Sequence, residues 1–438
     1  MADELLIYTQ KTTPRVSYIF KHIFVRILNI PVKFTSKIEE FVSHDSLKMS
    51  YGKSPLGGEF FIQSHGLLFE QGINDIEINV SQWDSTPCFF STGKKSNIPF
   101  DIFAASFYLL SRYEEYLPVV LDETDCFPAE ESIAYKHNFL DKPIIDVWAY
   151  KLLKALKEEY PEYEHVSNKY QYISTFSVNQ TFLYKGKGII RNIVSGVYDL
   201  FTFKLYAVWV RIATLLTIKD DPYDTFDKII YLQKKYNVKT IFFFLLSNYT
   251  TYDNNIAYTK RKYHLLIKSI ADHARVGLLS SYFTMEDEDS LIKETGRLEK
   301  IINTPTKLSR QHHGRNKLPD TYHKLIDLDI QEDYTMGYPK HMGFKASTCT
   351  PFYFYDLDFE IQTPLKVFPY AFNDTVLRFE MQLSPKQALM RINHIANLVK
   401  QVNGTLISIF HNDCLSNFDE WKYWEDFYED VLKCVKDS

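Results

Sequence analysis

From residue 171 onward the chain alternates strand-like runs with helical ones, and this alternation limits the fold more than any other feature. Runs rich in β-branched and aromatic residues occupy 171–178, 238–247, 275–282, 306–312, 343–347, 365–370 and 405–411. Helical periodicity over 225–236, 258–271, 286–302, 319–328, 385–401 and 419–435 separates most of them. Ser384-Pro385-Lys386-Gln387 has the residues of a capping box, with proline at the first helical position. Repeated strand–helix units in one sheet give parallel strands joined by right-handed crossovers. Seven such strands favour a barrel over an open sheet, and a barrel gathers its chemistry where strands end and loops begin.

Before residue 166 the pattern is less regular and reads as a smaller mixed α/β domain. Residues 59–62 and 76–80 alternate like strands, and 101–116 and 147–159 read as amphipathic helices. The charged stretch 157–169, with Pro161 and several glutamates, is the linker candidate and divides the chain into 1–165 and 166–438. A length of 438 residues allows two to three domains at roughly 150 residues each.

Lysine and arginine number 50 against 55 aspartate and glutamate, a net charge of −5. So mild an imbalance, with no block of five like charges, excludes a polybasic nucleic-acid binder and an acidic tail. The longest stretch free of charged residues is 170–184, 15 residues rich in Ser, Thr, Asn and Gln. A transmembrane helix needs about 20 mostly apolar residues, so no span is expected. The acidic start Met1-Ala2-Asp3-Glu4 is followed by no apolar core with a cleavage site, so no secretory signal is expected either. Five cysteines, odd in number, far apart and without a C-x-x-C pair, read as free thiols rather than a disulfide framework or zinc ribbon. The expected location is therefore cytoplasmic.

One connection stands apart. Residues 186–222 carry Gly186 and Gly188, then an apolar-aromatic stretch interrupted by Arg191, Asp199, Lys204 and Arg211. It reads either as a helical excursion packed on the rest of the protein or as a helix resting on a partner or a membrane surface.

In a barrel the strand ends would collect Ser177 and Asn179, Ser247 and Asn248, and Leu279 to Tyr282. They would also collect Arg310-Gln311-His312-His313, then Lys345 and Asp374, and finally His411-Asn412-Asp413. Two histidine sites and one or two carboxylates facing one mouth suit general acid–base work or a metal. Taken singly, a strand-end histidine is more often a hydrogen-bonded structural residue, and Asp374 and Asp413 read as solvated loop caps. Ser177 lacks the G-x-S-x-G setting of a hydrolase nucleophile. Cys349 and Cys414 read as buried and inert.

Several segments together resemble a known family. They are Ser174-Thr175-Phe176-Ser177-Val178-Asn179 with Tyr184-Lys185-Gly186-Lys187-Gly188, Val276 through Tyr282, Ser309-Arg310-Gln311-His312, and Glu332 through Tyr338. Gly343-Phe344-Lys345-Ala346-Ser347-Thr348-Cys349-Thr350-Pro351-Phe352 and Asn403-Gly404-Thr405 through His411-Asn412 complete the set. In this order they resemble the polysaccharide deacetylase (NodB-homology) family, more closely its two-domain bacterial branch with an uncharacterised N-terminal domain. The N-terminal half adds Phe100-Asp101, Ser111-Arg112-Tyr113-Glu114-Glu115-Tyr116 and Phe127-Pro128-Ala129-Glu130-Glu131-Ser132.

The resemblance implies a distorted (β/α)7 barrel of deacetylase type preceded by a smaller mixed α/β domain. It implies metal-dependent hydrolysis of acetyl groups on sugars, with a divalent metal such as zinc, in surface-polysaccharide metabolism. A carbohydrate ligand is the implied partner, with no nucleic acid, and peripheral membrane contact would run through 186–222. By the same resemblance His312 is a metal ligand, His411 the acid, and Arg310, Asp333 and Asp374 support, with Asp333, Asp374 and Tyr282 at the substrate cleft. Ser177 occupies the position of the base, and Asn179 and Leu279 those of metal ligands. Lys345 stands for an arginine, keeping the charge but losing the bidentate fork. A serine cannot replace a carboxylate as proton acceptor near neutral pH, and an amide is a poor zinc ligand. The implied reaction is therefore impaired or lost, with metal binding weak or absent. The alternative is a catalytically inactive protein that binds a glycan or a partner.

Overall fold

The computed structural model describes residues 4–436. Its first sheet is four-stranded and wholly parallel, in the order β2 (Val32–Thr35), β1 (Leu5–Tyr8), β3 (Lys48–Gly52), β4 (Phe61–Gln63). All four residues of β1 are buried, as expected of a central parallel strand covered on both faces. The helix Ile102–Leu110 is buried at every position and packs through Phe103, whose ring stacks on Phe20 at 3.7 Å. Asp101 caps it. Its Oδ1 accepts the Phe103 and Ala104 amides at 3.0 Å each, and Oδ2 accepts the Tyr51 hydroxyl at 2.7 Å. The predicted helix over 101–116 thus ends at Leu110, and a 3-10 turn, Tyr113–Tyr116, follows. The strand predicted at 76–80 is irregular, and its neighbourhood instead forms the antiparallel hairpin β5 (Ser81–Trp83) and β6 (Thr86–Cys88).

The second sheet has nine strands in the order β12-β13-β11-β10-β9-β8-β7-β15-β14. They are β7 (Gln171–Val178), β8 (Lys239–Leu245), β9 (Arg275–Ser280), β10 (Leu308–Gln311), β11 (Glu332–Asp333), β12 (Phe352–Asp356), β13 (Ile361–Val367), β14 (Phe372–Asn373) and β15 (Thr405–His411). All pair in parallel except β12 with β13. The architecture is mixed α/β, and the ladder does not close, because β12 and β14 are edges. One segment nevertheless spans the gap. Phe368 N donates to Asp333 O and Tyr370 N to Met336 O on one side, and Ala371 N donates to Ile407 O on the other.

Both faces of β7 are buried. Tyr172, Phe176 and Val178 join the large core under the helices, whereas Ile173 joins a smaller cluster with Phe243, Leu279, Tyr334, Tyr370 and Ile409. Strand alternation therefore puts Thr175 and Ser177 on the side of the small cluster.

Six of the seven predicted strands are present. The seventh, 343–347, is a turn, because its amides bond to loops instead of a ladder: Gly343 N to Ala371 O and Phe344 N to Leu140 O. Gly343 has φ +126°, and a Cβ there would meet Leu140 O at 2.3 Å. The capping box forms as expected, with Ser384 N donating to Gln387 Oε1 at 3.0 Å. The last predicted helix begins late, at Phe427, after a 3-10 turn at Asp419–Trp421.

Residues 186–222 form two helices, Ile189–Phe201 and Leu205–Leu215. They are polar inside and apolar outside. Arg211 bonds Asn192, Ser195 and Asp199 between them, whereas Ile190, Phe201 and Phe203 are 80, 79 and 85% exposed. Among the described residues no helix is long and apolar enough to cross a membrane. No disulfide joins the cysteines, and Cys349 and Cys414 are buried, their thiols pushed well up by burial.

Candidate functional site

A cleft of about 400 Å³ opens at the carboxyl ends of β7, β9, β10 and β15. Register brings its floor together. His411 pairs with Ser177 across β15 and β7, and Arg310 pairs with Leu279 across β10 and β9. Ser177, Asn179, Leu279, Arg310, His312 and His411, six of the predicted site residues, all line it.

Arg310 is 2% exposed. Its Nε donates to Tyr334 O at 3.0 Å, Nη1 to Ser177 Oγ at 3.2 Å and Nη2 to Thr175 Oγ1 at 2.8 Å, and the guanidinium lies 4.5 Å from the Phe243 ring centre. Burial pushes its pKa down to about 10.

Two of the three histidines at the cleft, His411 and His312, each lean on an aspartate. Nδ1 of His411 lies 2.7 Å from Asp374 Oδ1, and the His411 amide donates to Asp374 Oδ2 at 2.7 Å. Burial opposes the imidazolium, but the charge and hydrogen bond of Asp374 outweigh it, and the His411 pKa is raised. Nδ1 of His312 lies 2.8 Å from Asp253 Oδ1, and Asp253 also accepts the Thr250 hydroxyl at 3.0 Å. Burial works against that carboxylate, yet its partners hold its pKa below the usual aspartate value. His313 adjoins His312 with ring centres 4.0 Å apart, and burial pushes its pKa down to about 4.

Five other predicted residues do not line the cleft. Asp374 stands fully buried behind His411, and Asp413 accepts the Trp421 indole N–H at 3.1 Å, so neither is a solvated loop cap. Asp333 is also fully buried, taking Thr335 and Tyr322 hydrogen bonds, and burial lifts its carboxyl to about 6. Tyr282 stacks on Tyr252 at 3.9 Å, with the Arg315 guanidinium 4.0 Å over its ring. Lys345 points away to an ion pair with Glu115 at 3.2 Å, while its carbonyl accepts from Arg112. The Ala-Ser-Thr segment after it is held by Asp146, which accepts from Thr348 Oγ1, Cys349 N and Thr350 Oγ1. That motif joins the two sheets rather than lining the cleft.

Sequence reasoning missed Asp253 and Glu294. Asp253 lies in the loop after β8, a few residues beyond the flagged Ser247-Asn248 pair, and no local pattern marks it. Glu294 accepts the Ser281 amide at 3.0 Å and its hydroxyl at 2.5 Å, and burial lifts its pKa to about 7.

The donor set does not fit a divalent metal. At the positions in question stand a hydroxyl, an amide and a leucine, none of them a strong ligand for a divalent cation. Among the described residues no group of three or more His, Cys, Asp or Glu is placed to hold a metal ion.

Residues 5–161 match a family of unknown function, DUF7033. No protein with a curated description matches the sequence. Among solved structures the chain is similar to a protein assigned as a polysaccharide deacetylase from Mycobacterium smegmatis, at 14% identity and TM-score 0.39, over 62% of this chain and 85% of that one. It is similar to a CE4 family pseudoenzyme from Bacillus anthracis, at 12% identity and TM-score 0.30, over 61% of this chain and 62% of that one. It is also similar to an allantoinase, at 10% identity and TM-score 0.39, over 60% of this chain and 83% of that one. The chain spans less than two thirds of the pseudoenzyme's length.

Proposed function

We propose that this chain is a polysaccharide deacetylase-like protein of surface-carbohydrate metabolism that keeps a glycan-binding cleft and has lost the metal-dependent hydrolysis. The supporting observation is that Ser177, Asn179 and Leu279 stand at one cleft, in place of a carboxylate base and metal ligands, beside the His411–Asp374 pair. In this reading the nine-stranded sheet is a distorted (β/α)7 barrel, with the traversing segment around Tyr370 as its seam. Residues 1–165 are the smaller N-terminal domain, and the protein works in the cytoplasm.

The test is elemental analysis of the purified protein after zinc or cobalt loading and desalting. A metal-to-protein ratio near zero is expected, together with binding of acetylated or deacetylated chito-oligosaccharides. A ratio near one, with acetyl release from those sugars, would overturn the loss of reaction. The triple variant Ser177→Asp, Asn179→Asp, Leu279→His is expected to gain metal binding.

A second reading, peripheral membrane contact, rests on the helix pair. Sixteen of the 35 large apolar side chains exposed among the described residues fall between Ile189 and Ile218. Residues 185–222 also hold six basic and three acidic residues, in a chain whose net charge is −5. An exposed apolar face in a segment of net positive charge suits an anionic lipid surface. Flotation with phosphatidylglycerol-containing vesicles is expected to recover the protein, and Phe201→Glu with Phe203→Glu to abolish recovery. Equal recovery of the variant would rule this surface out.

A further inference from the structure

Arg310 makes no ion pair among the described residues, although it is buried. Its three hydrogen bonds go to a carbonyl and two hydroxyls, and no carboxylate of the described residues lies within ion-pair distance of it. The nearby buried carboxylate, Asp333, is turned to Thr335 and Tyr322. Asp374, behind the cleft, is engaged by His411. Buried ions are ordinarily paired, because an unpaired one keeps the whole desolvation penalty.

The surroundings add to this. Phe243, Tyr334 and Tyr370 crowd the guanidinium on the apolar side of the small cluster, so a counter-ion here is weakly screened. Each terminal nitrogen uses one of its two N–H groups on Thr175 or Ser177, which leaves two donors. Ser177 accepts from Arg310, so its own O–H is free to donate into the cleft.

We propose that the floor of the cleft is an anion subsite, in which Arg310 and the Ser177 hydroxyl receive the carboxylate or phosphate of an acidic glycan. This deepens the glycan-cleft reading and rests on it. A uronate and a sugar phosphate offer the same oxyanion, and the measurement separates them.

The test is calorimetric titration of the full chain with galacturonate oligomers, with neutral chito-oligomers and with inorganic phosphate, repeated on Ser177→Asp. That variant hands Arg310 a carboxylate. The acidic oligomer is expected to bind about tenfold or more tightly than the neutral one, as a charge-assisted hydrogen bond allows. Ser177→Asp is expected to erase the difference and to raise Tm, because the new carboxylate neutralises the buried charge. Phosphate bound in the wild type and lost in the variant would assign the subsite to phosphorylated sugars. Equal affinity for acidic and neutral oligomers would overturn the subsite and leave the glycan cleft standing. Binding of neither oligomer nor phosphate would overturn both. A variant with unchanged or lowered Tm would show that Arg310 already has its counter-ion, and would overturn the subsite as well.

Discussion

His411 and Asp374 are mutually dependent. Removing one partner of a buried ion pair strands the other, at a cost of about 3–5 kcal/mol. Asp374→Asn is therefore expected to destabilise the protein by roughly that amount in urea unfolding, and to drop the His411 pKa in an NMR titration. The wild-type pKa is raised above histidine's ordinary 6.5, so the pair's contribution is complete below that pH and is lost as pH rises through the raised value. Glu294 runs the other way from most carboxylates. Its pKa is lifted from 4.5 to about 7, so the folded state binds the extra proton and stability falls as pH rises across that window. Glu294→Gln is expected to flatten that fall, measured as Tm against pH. His312 and His411 were legible in the sequence as strand-end residues. Their aspartates were not equally so: Asp374 read as a loop cap, and Asp253 went unmarked. Both are buried loop residues fixed by the histidine each meets, and burial in a loop has no periodicity to read.

At the level of elements, local chemistry that is complete within a few residues was readable. The capping box at Ser384 and the alternation of β7 are of this kind, since four and eight residues fix them. The predicted strand at 343–347 failed for the opposite reason: its amides are taken by Ala371 and Leu140, remote in sequence. Gly343→Ala would press a methyl against the Leu140 carbonyl at positive φ, and a loss of about 1–3 kcal/mol in urea unfolding is expected. Asp101 holds a helix start and a tyrosine at once. Asp101→Ala is expected to cost about 1–3 kcal/mol on the same measurement, the range for a lost cap with donors left buried.

Across the whole molecule, the two sheets share buried contacts. Arg15 pairs with Glu360, Arg112 reaches the Lys345 carbonyl, and Asp146 clasps residues 348–350. One hydrophobic core runs through residues of both. Calorimetry is therefore expected to give a single unfolding peak, and Asp146→Ala to lower its midpoint by a few degrees without splitting it. Two peaks in the wild type would mean that the sheets unfold independently. Repeated strand–helix units foretold the parallel sheet, but not the antiparallel β12 or the segment that spans the gap, because neither belongs to a repeating unit.

The helix pair at 189–215 follows directly from the end of β7, the strand that also supplies Ser177 to the cleft. A body moored by that pair would carry its opening at a set height above the surface it rests on. Ligands would then be met by sideways drift rather than by arrival from the bulk, and a sugar chain rooted in the same surface would reach the opening most often.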